Sequence, residues 1–328
     1  MRILVTGGSG FIGTNLVSSL LLKNKTLLSI DIAYPKVKEH AAVFQRVDIL
    51  DLQALRRVVE AFQPTHVVHL AARTDLKGRT LADYAANTVG VQNLIAAMQQ
   101  CESVTRGLFT STKLVVPNAS GPEGNDDYRP DTLYGQSKVM GEQYVKAHSA
   151  RYSWCILRPT SIWGPWSGVP YGVFFKTVMS GLYFHPGKIN PPRYFGYVGN
   201  AVHQIESLLE APAETIQGQV YYLADYTAYR IKEWADAISI HARGRKVKTV
   251  PEALMRTMAK FGDLLSLARI SFPITTFRLN NMSVDTTKIP LENIKAISGD
   301  LPYDTQRAVV LTVDWFKAAR QAARAKAH

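Results

Sequence analysis

Three side chains in the middle of the sequence could together move a proton. Tyr134 and Lys138 stand four residues apart in "LYGQSKVMGE", which places both on one face of a helix. A tyrosine ordinarily has a pKa of about 10, and a neighbouring ammonium group favours its phenolate form. The pair can therefore supply a general base near neutral pH. Thr112 precedes them in "FTSTKLVVP" and adds a hydroxyl that can hydrogen-bond the reacting oxygen.

A glycine-rich stretch near the N-terminus carries a second chemical signal. Gly7, Gly10 and Gly13 fall three residues apart in "LVTGGSGFIG", between a predicted strand and a predicted helix. Glycines let the backbone turn sharply and approach a pyrophosphate, and the N-terminus of a helix offers free N–H groups and a positive dipole end. In this position the GxxGxxG spacing predicts a dinucleotide-binding loop rather than only a tight turn.

An acidic residue follows the glycine loop at the end of the next predicted strand. Asp31 closes "TLLSID" and can hold a ribose 2′-hydroxyl, whereas it would repel a 2′-phosphate. The sequence therefore favours NAD over NADP as the cofactor. Lys36 and Lys38 lie close enough in sequence to soften that preference.

The elements that must position these residues alternate through the first half of the chain. Near-continuous apolar strands are separated by segments long enough for helices, which is typical of a parallel sheet covered on both faces. The predicted strands are residues 2–7, 26–31, 43–48, 66–72, 107–112 and 153–159, with a later strand at 218–225. We therefore expect an α/β fold with a doubly wound, Rossmann-type parallel sheet.

The order loosens after about residue 160, where Gly, Pro and aromatic residues become frequent. We assign residues 1–160 to an NAD-binding Rossmann domain and residues 161–328 to a smaller, mixed C-terminal substrate-binding lobe. Strands within residues 161–225 are expected to return in part to the first domain.

The composition is that of an ordinary globular protein, with 46% hydrophobic and 20% charged residues. No apolar run of about 18 residues occurs, so we expect no membrane span, and the start "RILVTGG" leaves no room for a signal peptide. The two cysteines, Cys101 and Cys155, do not suggest a disulfide scaffold. We therefore expect a cytoplasmic protein.

The net charge of +12 raises the question of an acidic partner. Part of the excess lies in the last residues, where Lys317, Arg320, Arg324 and Lys326 recur at helical spacing. We interpret this tail as a solvated helix, with weak peripheral membrane contact as the alternative. The sequence shows no RNA-binding aromatic motif, no sustained basic run and no zinc-ligand spacing. We expect neither a nucleic-acid partner nor a metal.

The motifs together resemble those of extended short-chain dehydrogenases/reductases of the NAD-dependent epimerase/dehydratase family. The resemblance covers most of the chain and rests on "TGGSGFIG", Asp31, "VDILD", "HLAA", "NTVGVQNL", "TST", "YGQSK" and "LRPTSIWGP". It implies that Thr112, Tyr134 and Lys138 are the catalytic residues and that NAD is the cofactor. Members commonly act on nucleotide-diphosphate sugars, so a nucleotide-sugar substrate is implied here.

The resemblance also implies further cofactor contacts and a dimer. The additional cofactor residues would be Phe11 and Ile12 at the pyrophosphate, Asp48 and Ile49 at the adenine, Ala71 and Ala72 along the cofactor, Asn87 as a support, and Pro159 and Thr160 near the nicotinamide. A homodimer would form through the helix around residues 87–99 and the helix that carries Tyr134. The apolar residues Val89, Leu94, Ile95 and Met98 suit either that interface or internal packing.

The residues after Thr112 discriminate between the reactions of the family. Its 4,6-dehydratases carry Asp–Glu at that point, whereas this chain has Lys113 and Leu114. Dehydration is therefore disfavoured. An epimerase with tightly held NAD is the preferred hypothesis, and an NAD(P)H-dependent reductase of a keto sugar or another secondary alcohol is the alternative. A non-catalytic NAD-sensing protein is disfavoured because Tyr134 and Lys138 are both present.

Substrate contacts are implied for three further residues. Arg193 in "RYFGYVGN" and Arg278 in "FRLNNMSVD" resemble arginines that bind the substrate diphosphate, and two guanidinium groups suit bidentate phosphate recognition. Ser161 stands where many epimerases have a sugar-contacting asparagine. Asn200 replaces the usual aspartate of its motif, so the identity of the sugar stays open.

Overall fold

Seven strands form one parallel sheet in the order β11-β6-β5-β4-β1-β2-β3. The computed structural model describes residues 1–117, 121–149, 151–187, 189–267, 276 and 285–325. Its strands, in chain order, are β1 (Arg2–Thr6), β2 (Thr26–Asp31), β3 (Phe44–Arg46), β4 (His66–His69), β5 (Arg106–Thr110), β6 (Ser153–Pro159), β7 (Ser161–Trp163), β8 (Phe184–Pro186), β9 (Pro192–Arg193), β10 (Phe195–Tyr197), β11 (Gln219–Leu223), β12 (Tyr229–Arg230) and β13 (Lys248–Val250).

Helices cover the sheet and build the C-terminal part of the chain. They are α1 (Phe11–Leu22), α2 (Leu52–Phe62), α3 (Val89–Gln99), α4 (Leu133–His148), α5 (Tyr171–Ser180), α6 (Val198–Glu210), α7 (Ala213–Ile216), α8 (Ile231–Arg243), α9 (Glu252–Leu267), α10 (Glu292–Ser298) and α11 (Thr305–Ala325). Short 3₁₀ turns span Lys38–Val43, Leu81–Asn87 and Lys113–Val115. Side-chain caps fix where two helices begin: Asp51 accepts a hydrogen bond from the Ala54 N–H, and Thr132 accepts one from Gly135.

The strand order explains where a ligand can bind. β1 lies between β2 and β4, so the chain leaves β1 towards one side of the sheet and returns after β3 to continue on the other side. At such a switch point the loops that follow neighbouring strands diverge and leave a crevice at their carboxyl ends. Ile3, Leu4 and Val5 are fully buried, as expected for a strand covered by helices on both faces.

The observed strands are shorter than the predicted ones at most carboxyl ends. The intervals 26–31 and 153–159 match the structure, whereas β4 ends at His69 and β5 at Thr110. The residues that follow belong to loops, although the N–H groups of Leu70 and Ser111 still donate to Thr6 and Leu157 of the neighbouring strands. β11 returns to the main sheet beside β6, while a division of the chain at residue 160 stays a prediction.

A second, aromatic core lies in the C-terminal half of the chain. Trp163 of β7 stacks on Phe175 of α5 at 5.4 Å between ring centroids and contacts Trp234 of α8 at 5.1 Å. Phe316 extends the cluster from α11. The aromatic tract of the sequence is therefore used in packing, and the first half of α11 is anchored by it. Beyond Trp315 and Phe316, the side chains of residues 317–325 are exposed.

A buried ion pair fixes α4 against the sheet. The Arg158 guanidinium donates to both carboxylate oxygens of Glu142 at 2.9 and 2.7 Å, and the two side chains are 0% and 2% exposed. Arg158 also donates to the Tyr222 hydroxyl and to the Asn125 carbonyl, and the Tyr128 hydroxyl donates to Glu142. This network joins α4 to β6, β11 and the loop before α4.

We expect Arg158→Met to lower the free energy of unfolding by about 3–5 kcal/mol, because it leaves the Glu142 carboxylate buried without its partner. Denaturant unfolding followed by circular dichroism measures the change. The matched control is Arg256→Met, which removes an exposed partner of Glu252 and should leave stability unchanged within error. Equal stability of the two variants would contradict a structural role for the buried pair.

Candidate active site

The glycine loop approaches the chain so closely that side chains are excluded. Gly7 follows β1 with φ of +75°, and a Cβ there would lie 2.5 Å from the Ala71 nitrogen. A Cβ on Gly13 would lie 2.2 Å from the Gly7 carbonyl oxygen. Gly10 is the N-cap of α1 and offers no side chain to its N–H groups. These residues form a narrow cradle at a helix N-terminus, and this cradle fits a pyrophosphate.

Four of the further residues predicted around the cofactor lie at this cradle. Phe11 and Ile12 occupy the first turn of α1, and Ala71 lies against Gly7 and donates its N–H to the Thr6 hydroxyl at 3.3 Å. Ala72 follows in the same loop after β4. The loops after β1 and β4 therefore meet at the carboxyl edge of the sheet.

The Asp31 carboxylate is held at the end of β2 beside the same loop. One oxygen accepts the Ser9 N–H at 3.0 Å and the other accepts the Ala33 N–H at 3.0 Å. The first bond ties the carboxylate to the glycine loop. This places an acidic acceptor next to the cradle, as a ribose contact requires.

Asp48 and Ile49, two other residues predicted to contact the cofactor, have defined contacts within the protein. The exposed Asp48 accepts the N–H of Leu50 at 2.9 Å. Ile49 is 6% exposed, and a Cβ on Gly90 of α3 would lie 2.5 Å from it. The Ile49 side chain therefore packs on α3.

Thr112, Tyr134 and Lys138 come together beyond the end of β5. The Thr112 hydroxyl accepts the Leu114 N–H at 3.2 Å and hydrogen-bonds the Tyr134 phenol. The Lys138 ammonium donates to the Thr110 carbonyl at 2.8 Å. The exposed fractions are 7% for Thr112 and Tyr134 and 4% for Lys138. The sequence spacing of the three residues therefore corresponds to one buried cluster.

Burial dominates the electrostatics of this cluster. It raises the pKa of Tyr134 to about 12, although the Thr112 hydroxyl opposes the shift. Burial also lowers the pKa of Lys138 to about 8, and the negative charge of Glu142 opposes that shift. In the protein alone both groups are thus biased towards their neutral forms. A positive charge placed beside the phenol would favour proton release from Tyr134.

Asn87 ties the loop after β4 to the helix that carries Tyr134. Its amide group accepts the Arg73 N–H and donates to the Arg73 carbonyl and the Ser137 hydroxyl, all at 2.9 Å. Ser137 in turn donates to the Tyr134 carbonyl at 2.7 Å. Asn87 is fully buried, so it supports the site from within the fold.

The sequence does not single out His69 as a residue of the site, although it lies near Lys138. The ring is buried, shares a 2.7 Å hydrogen bond with Thr6, and has its pKa lowered to about 3 by burial and by the nearby Lys138. His69 is therefore neutral and acts as a packed hydrogen-bonding residue. Its position in the "HLAA" segment was the one available signal.

Three of the residues predicted at the nicotinamide and substrate, Pro159, Thr160 and Ser161, lie where β6 ends and β7 begins. Thr160 donates both its N–H and its hydroxyl to the Leu223 carbonyl, and Pro159 is paired with Leu223 in the sheet. The Ser161 hydroxyl bonds Tyr171. Thr160 therefore contributes directly to strand pairing, while Ser161 and Tyr171 lie together.

Arg193 faces the region of Thr112 from the C-terminal half. Its guanidinium interacts electrostatically with Lys113, Tyr171 and Asp285. Arg278, the second arginine predicted to bind a diphosphate, lies outside the described residues. The structure thus places one of the two predicted arginines near Lys113, which follows Thr112, and the other stays a prediction.

The asparagine at position 200, where the family usually has an aspartate, is explained by its hydrogen bonds. Its amide donates to the buried Asp225 carboxylate at 2.7 Å and to the Tyr303 carbonyl at 2.8 Å, and it accepts the Tyr303 N–H. Burial already raises the pKa of Asp225 to about 6. An aspartate at position 200 would place a second buried carboxyl group against Asp225, whereas the amide of asparagine donates to it.

Among the described ranges, no cluster of three or more metal-ligating side chains occurs, and no helix is long and apolar enough to cross a membrane.

Comparison with family models decides the family. The model described as NAD dependent epimerase/dehydratase family matches residues 3–224. The chain belongs to this family. The resemblance inferred from the motifs is thereby confirmed, and the family supports NAD as the cofactor.

Curated relatives divide between two kinds of reaction. A UDP-glucose 4-epimerase of Vibrio cholerae is 30% identical over 255 residues, which are 72% of this chain and 75% of that protein. A 3-beta-hydroxysteroid dehydrogenase of Mycolicibacterium neoaurum is 29% identical over 267 residues, 76% of this chain and 72% of that protein. The family is therefore shown, while its reactions differ among similar proteins.

A solved structure confirms the predicted fold class. The UDP-glucose 4-epimerase of Thermus thermophilus, in a complex with NAD, has a TM-score of 0.73 and 24% sequence identity. The match covers 97% of this chain and 100% of that chain.

We expect Gly13→Ala to weaken NAD binding, because its Cβ would overlap the Gly7 carbonyl and push the loop out of place. Overpacking of this kind costs about 1–3 kcal/mol. If that cost opposes binding, the dissociation constant for NAD rises roughly 5- to 150-fold. Calorimetric titration with NAD measures it. The control is Gly168→Ala, whose Cβ meets nothing within 4 Å. Unchanged affinity in both variants would show that the cradle does not hold the cofactor.

Proposed function

We propose that the protein is an NAD-dependent epimerase of a nucleotide-diphosphate sugar. The observation that carries the proposal is the buried cluster of Thr112, Tyr134 and Lys138 beside a glycine cradle, with the cationic side chains of Lys113 and Arg193 facing the same region. The cluster and the cradle suit hydride transfer at a secondary alcohol. The two cationic side chains suit a substrate that carries negative charge.

The residues divide into those that hold the cofactor and those that act on the substrate. Gly7, Gly10 and Gly13 would receive the pyrophosphate, and Asp31 would accept the ribose hydroxyls and favour NAD over NADP. The remaining proposed cofactor contacts are Phe11, Ile12, Asp48, Ile49, Ala71, Ala72, Asn87, Pro159 and Thr160. When bound, NAD supplies a ring that accepts a hydride from a sugar carbon and can return it.

Tyr134 is the proposed general base. It takes the proton of the sugar hydroxyl as the C–H hydride leaves, so the carbon becomes a ketone. The Thr112 hydroxyl hydrogen-bonds the reacting oxygen, and the Lys138 ammonium favours the phenolate form of Tyr134. After the keto sugar turns its other face, Tyr134 returns the proton to oxygen as the hydride returns to carbon. The result is inversion at one carbon with no net change of the cofactor.

Lys113 and Leu114 support epimerisation over dehydration. Elimination of water requires an acid and a base beside the sugar in addition to the tyrosine. The positions directly after Thr112 hold an ammonium group and an apolar side chain, so neither supplies a carboxylate.

A dehydrogenase or reductase of another secondary alcohol is the second candidate. The similarity to a 3-beta-hydroxysteroid dehydrogenase favours it, because the same tyrosine and lysine can act in a reaction that ends with a single hydride transfer. Such an enzyme would consume added NAD(P) or NAD(P)H, whereas the proposed epimerase would not.

A homodimer through α3 and α4 and a cytoplasmic location are also proposed. Leu94, Ile95 and Met98 are fully buried in the chain's own core, so they are not available to a partner. Val89 and Met140 are each 43% exposed and are the apolar side chains that these helices present. The proposed interface is therefore narrower than the sequence pattern indicates.

The first test is incubation of purified protein with UDP-, GDP- and dTDP-hexoses without added cofactor. We expect a sugar to convert to its epimer while absorbance of reduced nicotinamide shows no net accumulation, because the hydride returns to the sugar. Product separation by chromatography and NMR identifies the inverted carbon. Turnover only of keto sugars or steroid alcohols, and only with added NAD(P)H or NAD(P), would replace the proposal by the second candidate.

We expect Tyr134→Phe to lower kcat by about 100- to 10,000-fold, because the general base is lost. NAD affinity should stay within a few-fold of the wild-type value. The matched control is Tyr144→Phe on the same helix, where the ring stacks on His148 instead of lying in the cluster. Full activity of Tyr134→Phe would exclude the proposed base.

The pH dependence should follow the ionisation of Tyr134. Burial raises the pKa of this tyrosine, and the base is its deprotonated form, so kcat should rise with pH. The Thr112 hydroxyl opposes this shift, so Thr112→Val should raise the pKa of Tyr134 further and shift the rising limb to higher pH. Profiles of kcat between pH 6 and 10 test this order. A limb that moves to lower pH would contradict it.

A further inference from the structure

Lys113 lies directly after Thr112 in the 3₁₀ turn Lys113–Val115, at the carboxyl edge of the sheet. Its side chain is half-buried. Consecutive Cα atoms lie about 3.8 Å apart, so the Lys113 backbone is fixed next to a proposed catalytic residue. The fold therefore places a charged residue next to Thr112 at the carboxyl edge of the sheet.

The Lys113 ammonium is held in a region of net positive charge. Burial and the guanidinium of Arg193 both lower its pKa, which reaches about 8. Among the residues that the structure describes, no carboxylate is found to offset these effects at Lys113. Burial lowers the pKa of Arg193 as well, and the carboxylate of Asp285 acts on Arg193, where it opposes that shift. Lys113 and Arg193 are thus close to each other.

An ammonium group that is partly removed from water and faces another cation is unfavourable unless an anion completes the site. Tyr171 interacts electrostatically with Arg193 and is hydrogen-bonded to Ser161, so neutral polar groups lie on the same side of the site. Lysine is a strongly hydrated point charge that suits a phosphate or carboxylate oxygen. The missing component of the site is therefore negatively charged.

We propose that Lys113, together with Arg193, binds an anionic oxygen group of the substrate beside Thr112. This inference rests on the proposed function and makes it more specific. The shared chemistry is an anionic oxygen, and its two sources are the diphosphate of the nucleotide sugar and the carboxylate of a sugar acid. Lys113 then selects for substrate charge at the position where dehydratases of the family place a catalytic acid.

The first experiment probes the site without any sugar. Wild-type protein is treated with an amine-acylating reagent in the presence and absence of inorganic pyrophosphate, and mass spectrometry quantifies acylation of Lys113. We expect pyrophosphate to slow its modification at least 5-fold. The internal control is the exposed Lys248, whose modification should not change. Equal modification of Lys113 with and without pyrophosphate would overturn the anion site.

The second experiment assigns the source of the anion. Lys113→Met and Lys113→Arg are compared with wild type on UDP-glucose and UDP-glucuronate. Loss of one charge-assisted hydrogen bond corresponds to a roughly 10- to 150-fold drop in kcat/KM. A drop for UDP-glucuronate alone assigns the sugar carboxylate, and an equal drop for both substrates, with weaker binding of UDP, assigns the diphosphate. Recovery in Lys113→Arg ties the effect to charge.

The outcomes separate this inference from the proposed function. Protection by pyrophosphate without turnover of any nucleotide sugar would support the anion site and overturn the epimerase proposal. Turnover of UDP-sugars that Lys113→Met leaves within 3-fold would support the epimerase and overturn the role of Lys113. Circular dichroism of Lys113→Met shows whether the variant is folded, and Lys248→Met is the matched surface control.

Discussion

The buried ion pair between Glu142 and Arg158 is the interaction on which the proposed site depends. It attaches α4 to β6 at the centre of the fold, and α4 carries both Tyr134 and Lys138. The same carboxylate opposes the effect of burial on Lys138 and keeps its pKa from falling further. One residue therefore contributes to both the position and the charge of the cluster. A displaced α4 would separate Tyr134 from Thr112, and an unpaired Glu142 would change the charge around Lys138.

Close backbone approach is the second constraint on the site. The loops after β1 and β4 meet where Gly7 lies against Ala71, and Asn87 continues the connection to α4 through Ser137. The cradle and the cluster of Thr112, Tyr134 and Lys138 are thus parts of one hydrogen-bonded edge of the sheet. The absence of side chains at Gly7 and Gly13 is what allows this edge to form. It follows that the proposed cofactor cradle and the orientation of Tyr134 share the same structural support.

Much of this arrangement could be predicted from the sequence because the decisive signals are local. The apolar strands, the glycine spacing and the four-residue separation of Tyr134 and Lys138 each follow from one stretch of chain. The rest depends on contacts between distant residues. Lys113 and Arg193 are far apart in sequence, and so are Asn200 and Tyr303. Periodicity also could not decide that Leu94, Ile95 and Met98 pack inside the chain, because internal burial and a dimer interface require the same apolar residues.

Electrostatics distinguish the two candidate functions more sharply than overall similarity does. In the roles proposed for them, Thr112, Tyr134 and Lys138 would serve an epimerase and an alcohol dehydrogenase equally well, since both reactions begin by removing a proton and a hydride. A neutral, apolar alcohol would leave the partly buried Lys113 beside Arg193 without an anionic partner, and the cost of removing its charge from water would oppose substrate binding. A nucleotide-diphosphate sugar would bring negative charge into the same region. The electrostatic contribution of Lys113 to substrate binding would then be favourable. The cationic pair beside Thr112 is therefore the part of the site that favours the nucleotide sugar.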